Sequence, residues 1–227
     1  MYSCSFNTSI ITNPEQTLYS FITRVFSEKA QKVIDITEYK EHDAEQHIDI
    51  DDVNKSRHGD HDAYKRLIER HQQQIGNIMW RFSRDPLIHE ELIQDVFVEA
   101  YLSLTTYKQK APFIHWLRKI AIRVGYRYWK EQAKQRNQKN FTVQEWDHVL
   151  EKTKQDLDSD QAAALVHKLL EQLPPRDRLV LTLRFLEGYD VAQTADRIGW
   201  SKSMVKVQTI RAKRKLINLF PNSLKRA

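Results

Sequence analysis

Cysteine is almost absent from this 227-residue sequence: Cys4 stands alone, so neither an internal disulfide nor a cysteine-built zinc centre can form. Glycine is scarce at 5 residues and proline at 6, and hairpin signals such as Asn-Gly or Asp-Gly are few, which argues against a β architecture. No apolar run approaches the ~18 residues of a membrane-spanning helix, so membrane insertion is not expected. The amino terminus has no basic start followed by an apolar core, so a secretory signal is not expected and the cytoplasm is the expected location. No Gly-Lys-Ser/Thr phosphate loop occurs, and the glycines are too isolated for a nucleotide fold.

What the sequence does hold is leucine, isoleucine, glutamine and charge. Its composition is 41% hydrophobic and 29% charged, with a formal net charge of +6 and a pI near 9.3. That excess supports a nucleic-acid partner only weakly by itself; its distribution says more. Between Asp35 and Asp62 roughly ten acids face three bases, whereas Arg118–Arg136 and Lys202–Lys215 are strongly basic. Such segregation suits a chain whose parts meet different partners.

Periodicity divides the chain into four parts and predicts an all-α protein of two small helical domains joined by a flexible linker. Residues 1–60 read as an N-terminal extension. Asn13-Pro14-Glu15 resembles a helix start, followed by Leu18, Phe21, Ile22, Val25 and Phe26 at helical spacing. The acidic stretch after Ile36 is expected to be loosely structured as far as Gly59. Residues 61–136 form the first domain. In it Leu67, Ile68, His71, Ile75, Ile78, Met79 and Phe82 share one helical face. Asp85 and Pro86 then cap a second helix, whose apolar stripe is Leu92, Val96, Ala100 and Leu104. A third helix turns Phe113, Trp116, Leu117, Ile120, Ala121, Val124 and Tyr128 inward. Residues 137–160 are a polar, mostly acidic linker, and residues 161–227 a second domain.

The second domain carries the strongest motif. Leu165, Val166, Leu169, Leu170 and Leu173 run periodically to Pro174-Pro175, and a helix over Arg176–Leu186 ends at Gly188. A short helix over Asp190–Ile198, a Gly199-Trp200 turn, the cap Ser201 and a long basic helix to about Phe220 have the layout of a helix-turn-helix. Ala195, Ile198, Val205 and Ile210 are expected to hold the two helices together. Ser201, Lys202, Ser203, Lys206, Gln208, Thr209, Arg211, Lys213 and Arg214 are then the candidate duplex contacts, through base edges and phosphates.

In the first domain, cations and aromatics interleave along the third helix: Arg118, Lys119, Arg123, Tyr126, Arg127, Trp129 and Lys130. Cations hold a nucleic-acid backbone while aromatic faces receive unstacked bases, each stack contributing roughly 1–3 kcal/mol. Tyr126 and Trp129 are the better contact candidates; Trp116 fits the core.

Several of these strings resemble the extracytoplasmic-function group of sigma-70-type RNA polymerase sigma factors. His89-Glu90-Glu91-Leu92-Ile93-Gln94-Asp95-Val96-Phe97 is similar to that family's core-binding helix. Phe113 to Ala121 resembles its promoter-melting helix. Leu173-Pro174-Pro175-Arg176-Asp177-Arg178 to Gly188 resembles the start of its fourth conserved region, and Gly199-Trp200-Ser201 to Ala212 its recognition helix. The resemblance covers roughly residues 61–135 and 161–219. It implies core RNA polymerase and promoter DNA as partners, with an anti-sigma protein as a further candidate. It also implies that Glu91, Gln94, Asp95 and Val98 dock on a coiled coil of the polymerase's large subunit. The loop Tyr107–Lys110, with Lys108 and Lys110, would meet a flipped base of the −10 element, and the helix-turn-helix would read the −35 element.

The chain departs from the family at Arg123 and Arg127, where Asn and often Asp are usual, and at Gln193 and Gln208, where Glu and Arg are common. The linker acids Glu145, Asp147, Glu151, Asp156 and Asp158 either imitate nucleic-acid charge inside polymerase or are simply solvated.

Other chemistry is poorly supported. His89-Glu90-Glu91-Leu92-Ile93 begins like a zinc-protease helix, but Ile93 stands where a second histidine is required. His42, His47, His58 and His61 lie among acids, yet such segments are ordinarily solvated, so no metal, cofactor or catalytic residue is assigned. The free protein is expected to be monomeric. Two alternatives stay open: a helix-turn-helix regulator that binds duplex DNA without polymerase, and a helical adaptor whose basic helix never meets DNA. One expectation concerns regulation, that acids 35–62 fold over the basic DNA surfaces. A buried Gln94 would defeat the whole reading.

Overall fold

Each helix begins where a side chain can satisfy the backbone N–H groups that an α-helix leaves unpaired. The computed structural model describes residues 37–135 and 166–219, with side chains from 46 to 135 and from 166 to 218. Every regular element among the described residues is helical. Helix α1 spans Thr37–Arg57, α2 His61–Met79, α3 Pro86–Ser103 and α4 Phe113–Gln135. After them come α5 (residues 166–171), α6 (Pro175–Leu181), α7 (Val191–Ile198) and α8 (Lys202–Leu219). The Asp60 carboxylate accepts from Ala63 N to start α2, and Asp85 accepts from Leu87 N and Ile88 N ahead of Pro86 to start α3.

The first module is α1 to α4. Leu67, His71, Ile75 and Met79 of α2, Leu92, Val96 and Ala100 of α3, and Phe113, Leu117, Ile120, Ala121 and Val124 of α4 are all buried. These are the stripes that the helical period picks out, with one shift. Beyond Val124 the buried line continues through Gly125 and Trp129, and Tyr128 is only half-buried. Gly125 is the cause: a Cβ there would lie 2.3 Å from the Phe82 ring. Its absence lets that ring settle against α4, 4.5 Å from the Trp129 ring centroid.

Helix α1 corrects the expectation of loose structure after Ile36. Asp49 and Asp52 are buried and meet three basic side chains of α2. Arg66 Nη2 lies 2.6 Å from Asp52 Oδ1, Arg70 Nη2 2.6 Å from Asp52 Oδ2, and His71 Nε2 2.9 Å from Asp49 Oδ2. Arg70 also pairs with Asp49. Burial pushes the Asp52 carboxyl up, but hydrogen bonds and charge from Arg66 and Arg70 outweigh it and hold the group below the ordinary carboxylate range. At the other end Arg57 Nη2 donates to Leu104 O at 2.9 Å. Asp49 and Asp52 are therefore engaged with α2, not laid over the basic surfaces of α4 and α8; the side chains of residues 35–45 fall outside the described residues. The stretch Leu18–Phe26 and the linker acids fall outside the described residues.

In the second module, Val166, Leu169, Leu170, Leu173, Val180, Leu181, Ala195, Val205, Ala212 and Leu216 form the core. The expected continuous helix over Arg176–Leu186 is instead α6 followed by a π-helical turn at Thr182–Leu186, in which Glu187 N donates to Thr182 O. The wider turn ends at Gly188, whose φ of +68° suits glycine.

The two modules touch along α4, which contacts both α6 and α7. Leu179 and Leu183 join the first module's core. The Arg178 guanidinium lies 3.9 Å from the Trp129 ring centroid, Arg81 Nε donates to Glu187 Oε1 at 2.7 Å, and Lys119 Nζ lies 2.9 Å from Asp196 Oδ1.

His167 sits close to this seam. Burial, then the charges of Arg84, Arg178 and Arg81, push its pKa from 6.5 down to about 3. The folded chain therefore keeps this imidazole neutral where the unfolded chain would protonate it. Its stabilising contribution is complete above pH 6.5 and is lost progressively as pH falls toward 3. Denaturant unfolding of wild type and His167→Leu should show it: from pH 6.5 to 5 the wild type loses about 2 kcal/mol more than the variant. Equal losses in both would refute the assignment.

Candidate nucleic-acid and protein interface

Helix α3 has two sides. Its core side is fixed by Leu92, Val96 and Ala100; the opposite side carries Glu91, Gln94, Asp95 and Val98, all exposed. Gln94 is thus open to a partner. Beside this face runs a groove of about 1050 Å³ between α2 and α3, with Ile68, Trp80, Ile93, Phe97 and Leu102 among its walls. His89 fixes the groove's end, donating from Nε2 to Gly76 O at 2.9 Å and stacking on Trp80 with centroids 4.1 Å apart. Its role in the fold is this clasp between helices. Leu87 and Leu102 are 78% and 77% exposed and were missed from sequence, although Leu102 lies one turn beyond Val98. An acidic, amide-bearing face flanked by bare aliphatics suits a basic helical partner.

Helix α4 presents Lys119, Arg123, Arg127, Lys130 and Lys134 along one stripe, at spacings of three and four residues. Arg123 and Arg127 are held by a residue not singled out from sequence, Glu99 of α3. Arg123 Nε donates to Glu99 Oε1 at 2.6 Å and Arg127 Nη1 to Oε2 at 2.8 Å. Partial burial pushes the Glu99 carboxyl up, and hydrogen bonds from Arg127 and Arg123 more than offset this, leaving it below its usual range. The trio keeps one net positive charge, and both guanidiniums remain about half exposed.

The other predicted contacts on this module divide. Lys108, Lys110 and Lys130 are exposed, and Tyr126 is half-buried with Lys130 Nζ 5.9 Å from its ring centroid. Arg118 is half-buried and donates to Gln74 Oε1 at 3.2 Å, and Lys119 is paired with Asp196. Trp129 is a correction. It is 3% exposed, its indole N–H donates to Phe82 O at 2.8 Å, and Arg178 covers its ring, so no face is left for a base. Tyr107 in the preceding loop is also buried, with its hydroxyl donating to Ala111 O.

In the second module the turn is built as the motif requires. Asp190 and Gln193 form a capping box at the start of α7, and Gly199 ends it at φ +71°. Met204 N donates to Ser201 Oγ at 3.1 Å to begin α8. Gln193, a departure from the family pattern, is the reciprocal partner in that box. On α8, Lys202, Ser203, Lys206, Arg211 and Arg214 are exposed. Lys213 is half-buried, its Nζ 4.6 Å from the Phe185 ring centroid.

Gln208 and Thr209 are corrections: both are half-buried. Gln208 donates from Nε2 to the buried Asp177, which also holds Lys215 Nζ at 2.6 Å, and Thr209 Oγ1 donates to Val205 O at 2.7 Å. Ile210, expected inside, is 53% exposed, and Val207 is 46% exposed. Among the described residues no helix is long and apolar enough to cross a membrane.

Comparison with known proteins covers the same two modules. The family model described as Sigma-70 region 2 matches residues 67–135, and that described as Sigma-70, region 4 matches residues 163–216. The chain is 27% identical over 169 residues to the RNA polymerase sigma-H factor of Pseudomonas aeruginosa, covering 71% of this chain and 88% of that protein. It is 23% identical over 184 residues to the ECF RNA polymerase sigma-E factor of Haemophilus influenzae, covering 77% of this chain and 96% of that one. A solved structure of CnrH, in complex with the cytosolic domain of CnrY, shares the fold with a TM-score of 0.50 at 22% identity, covering 78% of this chain and 96% of that one. With both regions matched in order and relatives of this type across most of its length, the chain belongs to the extracytoplasmic-function group of sigma-70-type RNA polymerase sigma factors.

Proposed function

We propose that this sigma factor binds core RNA polymerase through the outer face of α3, opens promoter DNA with α4 and reads the upstream promoter element with α8. The observation that carries the reading is the outward set Glu91, Gln94, Asp95 and Val98, present in the same chain as a capped helix-turn-helix. A duplex-binding regulator needs the second feature alone. Glu91, Gln94 and Asp95 supply polar matching to a basic helix, and Val98 with the neighbouring groove supplies apolar area.

Downstream, Arg123, Arg127 and Lys130 hold the backbone while Tyr126 offers a ring edge; Arg118 and Lys119 add charge, and Lys108 and Lys110 guard the loop before α4. Upstream, Ser201, Lys202, Ser203, Lys206, Arg211, Lys213 and Arg214 position the duplex. Unpairing is repaid by binding, so no covalent chemistry, metal or cofactor is assigned. The first domain is extended to include α1, residues 137–160 tether the second, and the protein works in the cytoplasm as a monomer until it meets polymerase. An anti-sigma protein is a further candidate partner.

The test is run-off transcription with purified protein and core polymerase on a genomic promoter library. Protein-dependent transcripts are expected; their complete absence, with duplex binding retained, would leave a simple DNA-binding regulator. On a promoter so recovered, Lys206→Ala should weaken upstream duplex binding about equally across sequences and make log K against log salt shallower by roughly 0.9. An unchanged slope would remove Lys206 from the phosphate contacts.

A further inference from the structure

The outermost ridge of α8 is not uniformly polar. Ser203, Val207, Ile210 and Arg214 stand four, three and four residues apart, which lines them up along one side of a helix. Val205, Ala212 and Leu216 are buried on the opposite side, so this ridge points directly away from the module. Two branched aliphatics sit at its centre, Val207 46% and Ile210 53% exposed, with the exposed cations Lys206 and Arg211 on either flank.

Single exposed aliphatics need no explanation. An adjacent pair at the crest of a recognition helix, enclosed by cations and hydroxyl, has a specific counterpart. The major groove of B-DNA is about 12 Å wide and admits a helix of about 10–12 Å diameter. Its floor carries one apolar group, the thymine 5-methyl, and its rims are phosphates. An apolar crest between two cationic flanks repeats that cross-section in complementary form. A protein partner would have to be acidic and apolar at once to match it, whereas the duplex groove offers phosphates and methyl groups together.

We propose that Val207 and Ile210 read thymine methyl groups in the upstream promoter element, making this sigma factor selective for thymine at two neighbouring positions. The proposal rests on α8 being the recognition helix and adds what that helix reads. Ser203 and Arg214 bracket the pair at the two ends of the ridge, and Lys206 and Arg211 hold the rims. The aliphatics, which carry no donor or acceptor of their own, then meet the methyl groups on the groove floor.

Deoxyuridine differs from thymidine only in lacking the 5-methyl, so the test alters the DNA and leaves the folded protein alone. Holoenzyme binding is measured on a promoter recovered by run-off transcription, with each upstream-element thymine replaced in turn by deoxyuridine. One or two positions should weaken binding, by roughly fourfold per methyl removed. Val207→Ala and Ile210→Ala holoenzymes should each lose the penalty at one of these positions and keep it at the other, each variant becoming blind to its own methyl. Val207→Thr, which keeps the shape, serves as the folding-neutral second variant and should retain part of the discrimination.

Indifference of the wild type to every deoxyuridine would overturn the proposal, as would a penalty at one position that survives unchanged in both alanine variants or recovered promoters with no thymine in the element. Should Lys206→Ala leave upstream binding untouched as well, α8 is not the recognition helix and the parent reading fails. A Lys206 effect without any methyl effect rejects this proposal alone.

Discussion

Asp95→Arg is expected to abolish holoenzyme formation while the protein stays folded. Asp95 is exposed on α3, one turn from Glu91 and next to Gln94, on the side away from Leu92, Val96 and Ala100. Reversing its charge removes one attraction and adds one repulsion toward a basic partner helix. Close charge pairs at protein interfaces couple by about 1.5–7 kcal/mol, so a reversal should weaken association by roughly 100-fold or more. Thermal unfolding should be unchanged, because nothing in the core is touched and exposed substitutions ordinarily move stability by less than about 0.5 kcal/mol. Co-sedimentation with core polymerase, run-off transcription and a thermal melt together check the result. Retained polymerase binding at wild-type affinity would take α3 out of the interface.

Replacing both Arg123 and Arg127 by alanine should have the second large effect, this time on DNA opening. The two guanidiniums are about half exposed and share one carboxylate, so together with Glu99 they leave one positive charge facing the strand. Each phosphate contact on single-stranded DNA contributes about 0.7 to the salt slope. The double variant removes two positive charges and leaves Glu99 without them, so it should bind a single-stranded oligonucleotide with a slope shallower by roughly 1.4 and an affinity lower on the order of tenfold. Holoenzyme carrying it should give far less permanganate reactivity at promoter thymines while still forming closed complexes. Glu99→Gln is expected to act oppositely, tightening single-strand binding by lifting the partial neutralisation. If the alanine pair opens promoters normally, the basic stripe of α4 lies off the path of the strand.

The helices that bury an apolar stripe were legible in the residues. Leu92, Val96 and Ala100 recur at helical spacing, Asp85 and Pro86 mark a start, and Gly199 and Ser201 mark a turn that only a few side chains can make. Helix α1 was not legible for a physical reason. Its contact with α2 is built partly from Asp49, Asp52, Arg66, Arg70 and His71, and an interface made of ions has no hydrophobic period to detect. Trp129 was misplaced because the missing Cβ of Gly125 redirects the buried line of α4 by one residue, which no amphipathic pattern announces. Ile210 was misplaced because it stands five residues after Val205, off the buried line of Val205, Ala212 and Leu216, and Gln208 reaches inward to Asp177, buried at the start of another helix. Glu99 could have been suspected, since two arginines one turn apart in place of neutral or acidic residues invite an acid on the neighbouring helix.

The seam along α4 makes the free chain behave as one body although it is built from two. Leu179 and Leu183 are lodged among residues of the other module, and Arg178 rests on Trp129. Heat or denaturant should therefore dismantle both halves together, as a single cooperative unit. Whatever draws the halves apart uncovers two leucines and an indole at once, so a scaffold that holds them separate must give those groups something else to touch.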